Sequence, residues 1–383
     1  MLTKNKTACS LLFVISFLVC FVQCRKSEQN LYVSEIIYPL EQTRLISDFK
    51  PYIESIIVIP IQESDQSLMS YISKALLDND GNIYILDKGR IIALKPDGTF
   101  LRRIGRIGQG PREYLNIEDI AISDDGEYLM VLQSLAGNIL LYGIKDTTLY
   151  KEIAVPLIAP FDALAPAREG AWLYAAFPAS QSDYGKLEPM ITRIDNNANI
   201  IEQHLPRKDF TMSIGNITQV SHNNYLLKPQ SSEHIVYRLM PDSMSACYKI
   251  DFGRKNIPPN WEKDLRDVQS YMHSPYFKSP MFFQETDSLL YFKAAGPQAQ
   301  GYNFLYLRGK GKGIHWVDNY SNFLADFIAS DADYFYVVIP PLQLVEDMDD
   351  LCPLSKYLTY KTGVDRDPNN NNPVIVKIKF NIP

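Results

Sequence analysis

The sequence predicts an all-β fold, a six-bladed β-propeller of four-stranded antiparallel blades closed by an N-terminal strand and carrying a small helical insertion. Three observations carry that prediction. Six turn signals, at Gly81, Gly126, Gly170, Asn223, Asp287 and Asp331, each stand just before an apolar, aromatic-rich run. Their spacings, read from those positions, are about 45, 44, 53, 64 and 44 residues, inside or somewhat beyond the roughly 40 to 50 of propeller blades. The units also repeat as hairpins without long amphipathic stretches between them, which argues against a parallel sheet flanked by helices.

The elements follow in order. Lys4 and Lys6 precede an apolar run, Leu11–Val22, broken only by Ser16, and then the polar RKSEQN segment. This is the layout of an export signal over residues 1–23, too short to favour a membrane-spanning helix. Residues 24–47 read as a polar leader and residues 48–383 as the propeller domain. Ile53–Ile61 (IESIIVIPI) reads as a strand. Asp78–Tyr114 is the clearest unit: Asp80-Gly81 and Asp97-Gly98 are tight-turn dipeptides, and Ile83, Ile85 and Ile91–Leu94 have strand character between them. Later units offer second turns at Lys145-Asp146, Asn196-Asn197, Pro241-Asp242 and Gly309–Gly313, each before another strand.

Two segments break the rhythm. In Pro259–Met272, Trp261, Leu265 and Val268 recur at helical spacing after a proline start, which predicts a helix that could act as a lid. Gln343–Asn372, rich in Asp, Asn and Pro, reads as a long loop. The last unit has strands near Phe323–Ala329, Tyr334–Ile339 and Val374–Phe380, one short of a full blade. Ile53–Ile61 can supply the missing strand, and joining it to the last blade would remove two exposed sheet edges.

The Asp78–Tyr114 unit, ending in Gly105–Tyr114 (GRIGQGPREY), resembles the six-bladed β-propeller lipoproteins common in Bacteroides-type bacteria, which are similar to NHL-repeat propellers. For that family the molecular activity is mostly unassigned. Cys24, after Phe21-Val22-Gln23, resembles a bacterial lipoprotein site whose cysteine is acylated. Gln23 departs from the usual small residue, so cleavage by an ordinary signal peptidase, or use of Cys20, stays an alternative. The resemblance implies lipid anchoring in the envelope of a Gram-negative bacterium, at the outer membrane, and no other membrane contact.

Composition bounds the remaining classes. An apolar fraction of 46% and an aromatic fraction of 12% supply a large core and argue against disorder. A net charge of −6 argues against a nucleic-acid binder. Once residues 1–23 are removed, Cys24, Cys247 and Cys352 remain, and the last two are expected as separate buried thiols in different blades.

No motif assigns catalysis. GRIGQGP is not the dinucleotide fingerprint and Pro111 removes a donor, so it reads as an inter-blade connection from which Arg106, Gln109, Arg112, Glu113 and Tyr114 could face a ligand. Gly309–Gly313 lacks phosphate-loop spacing, and Asp78–Gly81 and Asp124–Gly126 lack the acidic twelfth position of a calcium loop. His204, His222, His234, His273 and His315 show no zinc spacing, no G-x-S-x-G elbow is present, and neither metal nor cofactor is expected. Glu346–Asp350 reads as a solvated acidic loop. Trp261 and Tyr271 could stack on a ligand, with Tyr276, Phe277, Phe282 and Phe283 beside them, or could pack the insertion onto the ring. The expected function is a monomeric, non-catalytic binding or scaffold module for a glycan, peptide or envelope protein. The alternative is a glycoside hydrolase or polysaccharide lyase with carboxylates converging at the ring axis.

Overall fold

Several of the turn signals close hairpins because a polar side chain satisfies the turn's own amides. The Asp78 carboxylate accepts from the N–H groups of Asp80 and Asn82 at 2.9 and 2.8 Å, and Asp331 accepts from those of Asp333 and Tyr334 at 3.0 and 2.7 Å. The structure, a computed structural model, describes residues 33–69, 72–110, 113–156, 158–177, 188–207, 216–221, 223–229, 234–258, 270, 273–319, 327–340, 353–363 and 372–383. Among them no helix is long and apolar enough to cross a membrane.

The described chain begins with β1 (Glu35–Ile37), helix α1 (Pro39–Gln42), β2 (Thr43–Leu45) and β3 (Ile53–Pro60). Blade 1 is β4 (Ile72–Leu77), β5 (Ile83–Asp87), β6 (Arg90–Leu94) and β7 (Phe100–Ile104). Blade 2 is β8 (Asp119–Ile122), β9 (Tyr128–Gln133), β10 (Asn138–Gly143) and β11 (Leu149–Ala154). Blade 3 is β12 (Ala163–Ala167), β13 (Gly170–Tyr174), β14 (Pro189–Asp195) and β15 (Ile200–Pro206). Blade 4 is β16 (Asn216–Ser221), β17 (Asn224–Lys228), β18 (Ile235–Met240) and β19 (Ser243–Ile250). Blade 5 is β20 (Met281–Glu285), β21 (Leu289–Ala295), β22 (Gln300–Leu307) and β23 (Lys312–Asn319). Blade 6 is β24 (Phe327–Ser330), β25 (Phe335–Ile339), β26 (Val374–Phe380) and, from the start of the chain, β3.

The closing strand sits where the shortfall places it. β3 runs antiparallel to β26, from Val374 opposite Pro60 to Phe380 opposite Ile53. The preceding residues also join the ring. β1 adds to β19 and β2 to β23, both parallel, with Glu35 opposite Tyr248 and Thr43 opposite Gly313. Side chains fix that path: Thr43 Oγ1 and His315 Nδ1 lie 2.8 Å apart, and the Glu35 carboxylate accepts from Tyr306 Oη and Gly309 N–H at 3.0 and 2.9 Å. The described part of the 24–47 leader therefore covers the outer edges of blades 4 and 5.

Middle strands read as unbroken apolar runs because both of their faces are buried between neighbouring blades. In β5, Ile83 and Ile85 pack with Ile59, Ile375 and Tyr336 of blade 6, while Tyr84 and Leu86 pack with Ile120, Val131 and Tyr142 of blade 2. Similar apolar clusters join blades 2, 3 and 4, blades 4 and 5, and blades 5 and 6. Outer strands such as β11 and β15 are mostly half-buried or exposed.

The 343–372 segment is not a loop throughout. Pro353–Thr362 forms helix α2, because Leu354 and Leu358 share one face and bury it against blades 5 and 6. The acidic and Asn-rich flanks hide that short pattern in the sequence. The helix expected over Pro259–Met272 lies, apart from Ser270, outside the described residues. Cys247 is a free, buried thiol, and burial pushes its pKa up to about 12; Cys352 lies outside the described residues.

Successive strands of a blade are antiparallel, so the first turn of every blade and the third turn of blades 1 to 5 lie on one face of the ring. The second turns and the inter-blade connections lie on the other. These are called the turn face and the connection face below.

Candidate functional site

The ring axis is occupied by the protein itself. Gln219 on β16 reaches across to β4 in the opposite blade, where its Oε1 accepts from Leu77 N–H at 3.2 Å and its Nε2 donates to Leu77 O at 3.4 Å. Asn223 and Tyr225 extend the same bridge to blade 2, donating to Asp124 O and Ile122 O at 2.8 and 3.4 Å. These bonds close the axis toward the turn face. Deeper in, Asp119 ties three first strands together, pairing with Lys74 Nζ at 2.6 Å and accepting from Leu164 N–H at 2.9 Å. Burial pushes the Asp119 carboxyl above the ordinary carboxylate range, while Lys74 and the amides pull it back.

On the connection face, blades 3 to 5 bury four cations. Lys228 donates to Pro229 O at 2.7 Å, Arg207 to Ala175 O at 3.0 Å and to Ala176 O, and Lys278 to Tyr276 O and Gly296 O, both at 3.2 Å. Lys293 pairs with Asp318 at 2.7 Å. All four are 5% exposed or less, and beneath the surface three of them hold backbone carbonyls while Lys293 holds a carboxylate. Burial brings Lys278 down to about 8, and burial with the nearby Lys228 drives His234 down to about 3, leaving that imidazole neutral. The sequence does carry a sign of this layer: β17 ends in Lys228, and Lys293 lies inside the apolar LLYFKAA of β21.

The sequence-derived site residues separate into distinct groups. Arg106 and Glu113 come together, Nε to Oε1 at 2.8 Å, and the same carboxylate accepts from Gly110 N–H at 2.7 Å. The connection is folded around that carboxylate. A Cβ at Gly108 would overlap it, and Gly105, at φ 58°, lies where a Cβ would come within 2.7 Å of the Tyr114 ring. Tyr114 is 2% exposed, donates to Ile104 O at 3.2 Å and packs edge-on against Tyr142, so its ring serves the junction of blades 1 and 2. The Arg106 side chain is 80% exposed, and Gln109 is exposed beside it. Phe277 and Phe283 are core residues, Phe277 stacked on Phe252 at 4.4 Å. Cys24, Arg112, Trp261 and Tyr271 lie outside the described residues.

The connection face of blades 1 to 3 also exposes apolar side chains. Leu68, Ile107, Leu115, Leu135, Ile158 and Phe177 are all exposed large hydrophobics, Leu135 at 80%, and all belong to second turns or inter-blade connections of blades 1 to 3. Sequence pattern alone misses them, because they lie in turns and connections where no strand alternation tells which side chains are exposed. Among the described residues no group of three or more His, Cys, Asp or Glu side chains could hold a metal ion.

A ring of six four-stranded blades, with Gln219 spanning its axis and apolar side chains exposed on its connection face, defines the chain as a six-bladed β-propeller. The family model described as Domain of unknown function (DUF4934) matches residues 40–379, and the chain belongs to that family. Among solved structures it is similar to the "Putative exported protein" of Bacteroides fragilis NCTC 9343, at TM-score 0.67 and 15% identity, covering 91% of this chain and 100% of that one. It is also similar to a member of the DUF4221 family from Bacteroides vulgatus, at TM-score 0.52 and 9% identity, covering 86% of this chain and 97% of that one. At these identities the likeness is one of fold. No curated protein matches the chain.

Proposed function

We propose that the chain is an exported, lipid-anchored binding or scaffold module of the bacterial envelope. It holds a peptide or an envelope protein, or a glycan, on the connection face of a monomeric propeller. The observation that carries this reading is the exposed crescent Leu68, Ile107, Leu115, Leu135, Ile158 and Phe177 beside the Arg106–Glu113 pair. Exposed apolar side chains gathered on one face mark interaction surfaces, and recognition residues concentrate on loops held by a rigid scaffold. The reading places Arg106, Gln109 and Arg112 as donors to a partner, with Trp261 and Tyr271 as stacking residues. Lipid on Cys24 supplies the anchor. An axial hydrolase or lyase is less well supported, because Asp119 is engaged by Lys74 and Leu164 N–H and Gln219 fills the axis.

A binding screen of the soluble 31–383 chain, which contains every described element, tests this against peptides, envelope extracts and polysaccharides with product analysis. The expected result is capture without product. Arg106→Ala and Leu135→Asp should each weaken capture by about 1 kcal/mol or more with an unchanged melting temperature. Catalytic turnover of a polysaccharide, or capture indifferent to both substitutions, refutes the reading.

A further inference from the structure

We infer a second binding site, for a neutral sugar, in the cleft between blades 2 and 3 on the turn face, with Tyr150 as its stacking platform. The cleft has a volume of about 350 Å³, at the small end of the roughly 300 to 1,000 Å³ of ligand pockets. It opens because blade 3 offers little bulk there. Ala167 and Gly170 stand opposite Met130, Leu141 and Ile153, which form an apolar floor.

The walls suit a sugar in three ways. Tyr150 is 66% exposed, yet its ring is fixed by stacking on Tyr128 at 4.7 Å with 26° between planes. A large, exposed aromatic in the lining of a cleft has a π-face to stack on the C–H face of a pyranose. Around it stand Asp124, Lys151, Arg168 and Asn196, a mixed set of donors and acceptors that matches hydroxyls able to do both. The lining also carries charges of both signs, Asp124 and Asp125 with Lys151 and Arg168, rather than the single-sign cluster that an ionic ligand calls for.

Part of this set is already engaged and positions the rest. Asp125 accepts from Ser123 Oγ at 2.5 Å and Glu127 N–H at 3.0 Å, and Arg168 pairs with Asp242 at 2.5 Å. The turn that carries Asp124 is pinned from blade 4 by Asn223. Asp124 is thus presented on a rigid turn, with little ordering left to do when a ligand binds. The site lies on the opposite face from the crescent, so the two stand or fall separately.

The 31–383 chain should be titrated by calorimetry with maltose, cellobiose, mannobiose and chitobiose. The expected result is saturable binding of at least one disaccharide, weakened about tenfold by Tyr150→Ala, the scale of one aromatic contact, and kept by Tyr150→Phe. Asp124→Asn should also weaken it, and Tyr360→Ala, at an exposed tyrosine of helix α2 outside the cleft, should leave it unchanged. No saturable binding to any of the four overturns the inference. So does sugar binding that Tyr150→Ala leaves intact, or a Tyr150-dependent signal given by a tetrapeptide panel and not by sugars. Tyr150 is a surface residue, and an unchanged melting temperature will show that the variants are folded.

Discussion

Glu285 ends the first strand of blade 5 and holds blades 4 and 5 together, and removing its carboxylate gives a sharp test of how the ring is stabilised. It accepts from Arg238 Nη2 at 2.8 and 3.0 Å and from Tyr248 Oη at 2.6 Å, with Arg308 Nη1 at 3.3 Å. The Glu285 side chain is 4% exposed, Arg238 18% and Arg308 30%. Glu285→Ala leaves Arg238 without its carboxylate and Tyr248 without its acceptor. Breaking a buried pair from one side costs about 3 to 5 kcal/mol, and the outer exposure of Arg308 screens its share, so about 3 kcal/mol is expected. Tyr248→Phe removes one hydrogen bond to a charged group and should cost about 1.5 kcal/mol. The double variant Arg238→Met, Glu285→Leu should recover much of the loss, since it removes both of the more buried charges and leaves only the better solvated Arg308 without its carboxylate. Guanidinium denaturation of these variants, with wild type, Arg238→Met, Glu285→Leu and their double forming a cycle, measures this. A loss under about 1 kcal/mol for Glu285→Ala, or strict additivity of the Arg238 and Glu285 changes, would refute the reasoning.

Three further outcomes are expected. Deleting residues 1–61 should destabilise the whole ring, because it removes β3 together with β1 and β2, whereas deleting residues 1–30 should leave the melting temperature nearly unchanged; equal melting of both truncations contradicts the closure. Cys24→Ala should release the protein from the membrane fraction, and a mature N-terminus bearing an unmodified residue other than Cys24 in mass spectrometry rejects that site. Acid should erase one local contribution. Burial acts to raise the Asp331 carboxyl, but the amides of Asp333 and Tyr334, the Tyr336 hydroxyl and Lys377 outweigh it and hold it below its ordinary 3.8. A depressed carboxylate contributes stability above the unfolded value and loses it as pH falls through the folded one. Wild type should therefore exceed Asp331→Asn in melting temperature at neutral pH, with the gap closing below about pH 4. A gap independent of pH would show that the charge contributes nothing.

Much of the ring is written in short windows of sequence. Asp78 with Gly81, and Asp331 with Asp333, close turns through bonds between near neighbours, so the residues that form the turn are also the ones that announce it. Alternation works similarly. The IYIL of β5 is apolar on both faces because each face meets another blade, and the missing fourth strand at the C-terminus points directly to Ile53–Ile61. The glycines of the Gly105–Gly110 connection are equally local, since they make room for Tyr114 and Glu113 a few residues on.

Helix α2 shows where this legibility stops: two leucines four residues apart are too few to stand out among acidic and Asn-rich flanks, and only burial against blades 5 and 6 makes them a face. The Glu35–Leu45 strands likewise gain their partners from β19 and β23, far along the chain. The functional surfaces depend wholly on such distances. Gln219 closes the axis through Leu77, 142 residues away, Tyr150 becomes a platform because blade 3 leaves a cleft beside it, and Leu135 matters through neighbours on other loops. Turn chemistry and strand alternation are set by adjacent residues, so the sequence by itself determined the blades and their closure. A pocket, a plug or a patch is a meeting of side chains from different blades, and only the packing of those blades, which fixes who meets whom, decided them.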